Sequence, residues 1–291
     1  MSTDTRHVEA PVRARTAVLM THDAPVETEG MEAAVRAAEA ASCAIVASRD
    51  EAAKHGDSAE RLEVVDELPD RPDLCLVLGG DGSILRALRR YAGTGVPVFA
   101  VNFGRIGFLA AVERDELESG LERAFSGSFE VVSLPGLEAD GGSAPALNDV
   151  TFSRQPQGAV AELAYRLAGE EVGHVRCDGL VAATPAGSTG YNLANGGPVL
   201  AWGVEGFAVS FIAPHTLTAR ALVVAPDDVL HVRNVGGRDP VEVVFDGQPE
   251  LELAVGEELE VRFRNGIGCL AQLDGTTFYH RMREKFGQLA G

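Results

Sequence analysis

The stretch Gly79-Gly80-Asp81-Gly82-Ser83 follows directly on the apolar run Leu74-Cys75-Leu76-Val77-Leu78. A buried strand that ends in glycines and opens a helix turns backbone amides and the helix N-terminus towards one small volume, and phosphate is the natural guest. Gly79, Gly80 and Ser83 are read as that phosphate loop. Asp81 does not bind phosphate directly; a carboxylate there serves as a metal ligand, as an acceptor for a sugar hydroxyl, or as a base. A tight turn with a helix cap uses the same residue types. A second cluster, Thr184-Pro185-Ala186-Gly187-Ser188-Thr189-Gly190-Tyr191, also follows an apolar run. Here Gly187 and Ser188 are read as a further phosphate loop, the hydroxyls as helix cap or ribose contacts, and Tyr191 as a flat face for an aromatic base. Asn148-Asp149 and Asp178 stand in β-rich surroundings, where charge is costly without a partner. An Asn amide suits an adenine edge and an Asp carboxylate suits ribose hydroxyls, while turn or capping roles compete for each.

These residues need elements to place them. Apolar runs at 16–20 and 43–47 flank an Ala/Glu-rich helical segment at 26–41, a βαβ rhythm. The run at 74–78 reads as a parallel strand buried on both faces. A helix at 83–91, a strand at 96–101 and an acidic helix at 114–125 follow. Beyond them the texture changes to short β-rich runs at 129–134, 146–153, 207–212, 229–232 and 241–245, with 136–145 read as a loop. The boundary falls near 126–136. This predicts an α/β N-terminal domain with a Rossmann-like parallel sheet over 1–130 and a β-rich nucleotide-binding domain over 131–270. The segment 271–291, helical at 277–289, is expected to pack back on the first domain.

Charge limits the partners. The sequence has 43 acids against 25 bases, a net charge of −18, and its only lysines are Lys54 and Lys285. No basic face is visible for nucleic acid, whose phosphates demand one. No run approaches the length of a membrane span and the first residues lack a signal-like pattern, so a cytoplasmic protein is expected. The acid excess points to a halophilic source. Cys43, Cys75, Cys177 and Cys269 have no metal-ligand spacing and read as buried free thiols. His215, isolated in an apolar stretch, is read as a hydrogen-bonded core residue.

Taken in order, GGDGSIL at 79–85, NFGRIGFL at 102–109, Asn148-Asp149, DGLVAATPAGSTGY at 178–191, GGP at 196–198, Pro214-His215 and Asp246-Gly247-Gln248 resemble the ATP-dependent NAD kinases. The resemblance spans about 74–248. The GGDG element alone is shared with lipid kinases and phosphofructokinases, so the later blocks discriminate. The resemblance implies a kinase that transfers the γ-phosphate of ATP to the 2′-hydroxyl of the adenosine ribose of NAD. It also implies Mg²⁺ or another divalent metal with the ATP, and a homodimer or homotetramer. No residue is singled out as a metal ligand.

By the same resemblance Asp81 is the catalytic carboxylate, and Asp81 with Gly82 contacts the dinucleotide. Arg86 stands where a basic residue near phosphate fits. Asn148 and Asp149 hold NAD, with Asp149 in place of the usual glutamate. Arg176, Asp178, Ala186, Thr189, Gly190, Tyr191, Asn192, Leu193, Ala194 and Gln248 complete the expected contacts. The chain departs from the family's usual TPTGSTAY at Ala186 and Gly190, which removes a hydroxyl and loosens the turn. The nucleotide is expected between the two domains. A lipid or sugar kinase built on the same GGDG element, and a non-catalytic NAD(H) sensor, are the competing readings.

Overall fold

The computed structural model describes residues 7–8, 13–22, 28–104, 107–236, 238–275 and 278–287. The chain forms two compact units, one built from Leu134–Ile267 and the other from the described residues before and after it. The second is thus made of two separate stretches of chain. No helix among the described residues is long and apolar enough to cross a membrane.

In the discontinuous unit the strands Val98–Asn102, Leu74–Gly79, Thr16–Thr21, Ala44–Ser48 and Glu63–Val65 lie side by side in that order, all parallel. Leu270, near the end of the strand Glu258–Gln272, adds a further parallel neighbour beyond Val98. The central strands are buried along their whole length, as expected of a sheet covered on both faces. Helix Thr28–Ala41 packs Met31, Ala34 and Val35, and helix Leu117–Ser126 packs Leu121 and Phe125, into a core with Leu19, Ile45, Leu76 and Phe99. The chain first steps outward from Thr16–Thr21, then returns to its other side with Leu74–Gly79. This reversal leaves a crevice at the carboxyl ends of those two strands, the usual ligand position in such a sheet. Gly79 and Asp81 stand at that point.

The other unit is a sandwich. One sheet runs Leu222–Val224, Phe207–Ile212, Gly179–Ala183, Asp149–Arg154, Val241–Phe245, Gln248–Leu253, entirely antiparallel. The facing sheet has Glu170–Cys177, Ala161–Leu167, Leu230–Gly236 and the first half of Glu258–Gln272. Phe152, Leu180, Val209 and Phe245 from one sheet meet Leu163, Val232, Val261 and Phe263 from the other.

One expectation changes here. The segment 136–145 is not all loop, because strand Glu130–Ala139 runs into it. Leu137 is fully buried and exchanges both backbone hydrogen bonds with Ala146 at 2.8 Å, and a side chain at Gly136 would press on the Ala146 carbonyl. The small residues there permit a close strand pair as well as a turn. The four cysteines are free and buried.

Candidate active site

Helix Asp81–Arg90 begins immediately after Gly80, so Asp81 occupies its first turn. Gly79 must lack a side chain, since a Cβ there would lie 2.7 Å from the Ser83 hydroxyl. Gly80 is approached by Gly104, whose Cβ would lie 3.1 Å from the Gly80 Cα, and Phe103 donates its N–H to the Gly79 carbonyl at 3.1 Å. The NFGRIGFL segment is therefore folded over the GGDG turn; its Arg105 and Ile106 lie outside the described residues. Its far end grips the carboxylate. Phe108 N–H donates to both Asp81 oxygens at 3.0 and 2.9 Å, and Leu109 N–H donates to Oδ1 at 3.1 Å.

Burial pushes the Asp81 carboxyl above its usual range, opposed by these amides and by the charges of Arg281 and Lys285. Arg86 reaches back from the helix to the Thr21 carbonyl across the crevice. Gly82 is exposed at the helix start.

The sandwich unit carries the other residues. Asp246 and Gly247, at φ +51° and +79°, make the two-residue turn between Val241–Phe245 and Gln248–Leu253. The Asp246 carboxylate accepts the N–H groups of Leu147, Asn148 and Asp149 at 2.9, 2.6 and 3.1 Å. It thereby fixes the Asn148-Asp149 pair and leaves Gln248 exposed beside it. Asp149 is buried, accepts the Thr151 hydroxyl at 3.0 Å, and is pushed up to about 6, by burial first and by Asp246 last. The Asn148 Oδ1 is buried without a hydrogen-bond partner.

Thr184 joins the second glycine cluster to this pair: its hydroxyl donates to the Leu147 carbonyl at 2.6 Å and accepts Gly187 N–H at 3.0 Å. Gly187 sits so close to Asn148 that a Cβ would lie 2.0 Å from its carbonyl oxygen. The Ser188 hydroxyl is fully buried, donating to the Pro185 carbonyl and accepting Leu200 N–H. Ser188 thus shapes the loop from inside. Thr189 caps back to the Ala186 carbonyl at 3.2 Å. In the short helix Tyr191–Ala194, Asn192 is buried and ties Ser188 to Pro198, whereas Tyr191 is 46% exposed and offers its ring.

Arg176 and Asp178 are not part of this cluster. Gly179–Ala183 has Asp178 at its start and Thr184 at its end, so about 20 Å of strand separates them at ~3.3 Å per residue. Asp178 instead accepts Arg154 Nε at 2.6 Å, Arg176 is exposed, and His215, expected in the core, is exposed and donates its backbone N–H to the Arg176 carbonyl. Phe108, Leu109, Gln272 and Arg281 were not expected from sequence. The first two act through backbone amides, which leave no residue-type signal, and the last two are distant in sequence from Asp81.

A carboxylate held by amides at the switch point of a parallel sheet, on a chain that also folds a polar cluster on a β-sandwich, is the arrangement of a two-unit enzyme. Residues 6–129 match the model of the ATP-NAD kinase N-terminal domain and residues 147–266 that of the ATP-NAD kinase C-terminal domain. The chain belongs to the ATP-NAD kinase family. It is 37% identical over 220 residues to an NAD kinase of Symbiobacterium thermophilum, covering 73% of this chain and 78% of that one. An NAD kinase of Acidovorax ebreus is 33% identical over 86% of each chain. Among solved structures, yeast NADH kinase complexed with NADH superposes with a TM-score of 0.82 at 21% identity, over 96% of this chain and 89% of that one. An NAD kinase from Archaeoglobus fulgidus in complex with ATP gives 0.71 at 25% identity, over 94% and 98%.

Proposed function

We propose that Asp81 is the base of an NAD kinase reaction in which the 2′-hydroxyl of the adenosine ribose attacks the γ-phosphorus of ATP in line, the bond to the β,γ-bridging oxygen breaks, ADP departs and NADP is formed. The membership of the chain in the ATP-NAD kinase family supports the reaction, and the Asp81 geometry is the observation that carries the residue role. The transition state is loose, so positioning and charge compensation supply most of the acceleration. Asp81 orients the hydroxyl and takes its proton late. Its pKa, raised by burial, makes it a better acceptor than a solvated carboxylate.

In this reading Gly79, Gly80, Gly82, Ser83 and Arg86 shape the phosphate side. Asn148 and Asp149 hold the dinucleotide, with Thr189, Gly190, Tyr191, Asn192, Leu193, Ala194 and Gln248 around it and Gly187, Ser188 and Ala186 forming the loop's frame. The unpaired Asn148 Oδ1 suits a ligand N–H, and the buried Asp149 suits two ribose hydroxyls. Arg176, in strand Glu170–Cys177, and Asp178, just before Gly179–Ala183, are proposed as further nucleotide contacts apart from this cluster. Among the described residues no cluster of three or more acidic, His or Cys side chains forms a metal cage. Mg²⁺ would arrive on the ATP phosphates as part of the substrate, since it keeps most of its waters and takes few protein ligands. A homo-oligomeric, cytoplasmic enzyme working in concentrated salt completes the reading; four free, buried cysteines suit a reducing compartment.

The test is NADP formation from NAD, ATP and Mg²⁺, with parallel arms containing NADH as acceptor and polyphosphate as donor, and diacylglycerol and fructose 6-phosphate as competing acceptors. Asp81→Asn, which keeps the shape and loses the proton acceptor, is expected to retain NAD binding and lose nearly all transfer. Turnover within about threefold of the parent, under about 1 kcal/mol of barrier, overturns the role of Asp81.

A further inference from the structure

The helix Phe278–Phe286 carries Arg281 and Lys285 one turn apart on the face that also bears Phe278. Phe278 packs edge-on against Phe108 with centroids 5.5 Å apart, so this face meets the segment that grips Asp81. Two side-chain relays run from it. Arg281, only 5% exposed, donates to the Gln272 side-chain carbonyl, and Gln272, itself buried, donates its amide to the Leu109 carbonyl at 2.9 Å. The N–H of the same Leu109 reaches Asp81. Lys285 pairs with Glu113 at 2.9 Å, Glu113 accepts Asn102 Nδ2 at 2.7 Å, and Asn102 Oδ1 accepts Gly104 N–H at 2.9 Å. Gly104 is the residue stacked on Gly80. One relay therefore ends at each end of the loop over the GGDG turn.

We propose that Arg281 and Lys285 are positioning residues for the phosphoryl transfer, holding the 102–109 loop so that its Phe108 and Leu109 amides keep the Asp81 carboxylate aimed.

The chemistry favours this over simple packing. A buried arginine is expensive unless paired, and a hydrophobic residue fills the same space at less cost. Arg281 stays charged in its burial, lowered only to about 10, and the charges facing it are Asp81, Glu113 and Glu284. Arg281 and Lys285 are also the cations acting on Asp81, where they counter the burial of its charge. In a chain with only two lysines and a net charge of −18, one of the two is spent here. The inference rests on the role given to Asp81 above and adds the elements that aim it.

The experiment uses the full chain and compares Arg281→Met, Arg281→Lys, Gln272→Met and Lys285→Met with the parent in NADP formation. Melting curves and far-UV circular dichroism are recorded for each. Expected are a fall in kcat of tenfold or more for Arg281→Met with KM for NAD and ATP within twofold, a fall of threefold or more for Gln272→Met and Lys285→Met, and recovery of at least half the lost rate by Arg281→Lys. A folded Arg281→Met enzyme with kcat within threefold of the parent overturns the proposal, as does a loss that falls on KM instead, or an Arg281→Lys enzyme as slow as Arg281→Met. If Arg281→Met does not fold, the less deeply buried variant Lys285→Met decides, and its parity with the parent overturns the proposal. A parent that forms no NADP overturns the reaction itself, whereas a competent parent with unimpaired variants overturns only the positioning role.

Discussion

Asp149 ionises against its surroundings. The residue is 8% exposed, its carboxyl has one hydroxyl donor and feels the charge of Asp246, and its pKa is pushed from 3.8 to about 6. A carboxyl whose folded pKa lies above its unfolded value makes the fold most stable below the unfolded pKa. Stability then falls as pH rises between about 4 and 6 and levels off above, a loss of about 3 kcal/mol at 1.36 kcal/mol per unit. Asp149→Asn cannot ionise, so melting of variant and parent across pH 4.5 to 8 should show the variant gaining several degrees on the parent as pH rises. Parallel curves remove burial as the governing effect. NAD binding supplies the missing donors if ribose hydroxyls reach this carboxylate, so in the parent KM for NAD should fall as pH rises through about 6. A KM flat across that range contradicts the contact.

The two glycines of the second loop do different work, although in sequence they look alike. Gly187 lies against the Asn148 backbone, where a Cβ would sit 2.0 Å from the carbonyl oxygen, whereas Gly190 has φ −96° and a Cβ there would meet only the Gly187 carbonyl at 3.3 Å. Gly187→Ala should therefore destabilise by about 3 kcal/mol or more, because two backbones must part. Gly190→Ala, which restores the family's usual residue, should stay within about 1 kcal/mol of the parent. Denaturant melting of both variants checks this, and equal losses refute the difference. The contrast marks what the sequence makes readable. The βαβ rhythm, the buried strand Leu74–Gly79 and the turn that follows were legible because period and punctuation coincide there. Strands Ala161–Leu167 and Glu170–Cys177 were not, since the second is a polar edge whose side chains are mostly exposed. Strand Glu258–Gln272 carries no single sequence signature, because its first half alternates and the end of its second half is continuously buried, two patterns for two neighbourhoods. The clamp on Asp81 was invisible for a simpler reason: any residue type supplies a backbone amide.

At the scale of the whole molecule charge dominates. With 43 acids against 25 bases, repulsion reaches across a domain at 0.01 M salt, where the Debye length is roughly 30 Å, and vanishes beyond a side chain's reach at 1 M, where it is about 3 Å. Surface pairs such as Arg36–Glu118 and Arg264–Glu138 are screened too, but exposed pairs contribute little each and the acids outnumber their partners. The melting temperature should therefore climb as KCl rises into the molar range, with sucrose as the control for general exclusion. A flat or falling curve means that the acidity is compositional and removes the halophilic reading. The discontinuous unit has a separate consequence. Val98–Asn102 waits for Leu270 as its neighbour, and Leu109 waits for Gln272 and Arg281. A ribosome delivers residues in order, so every residue of the Leu134–Ile267 unit precedes these partners out of the ribosome. The carboxylate and the two amides that grip it are delivered early, and the Gln272 and Arg281 side chains that brace Leu109 are delivered last, after the whole Leu134–Ile267 unit.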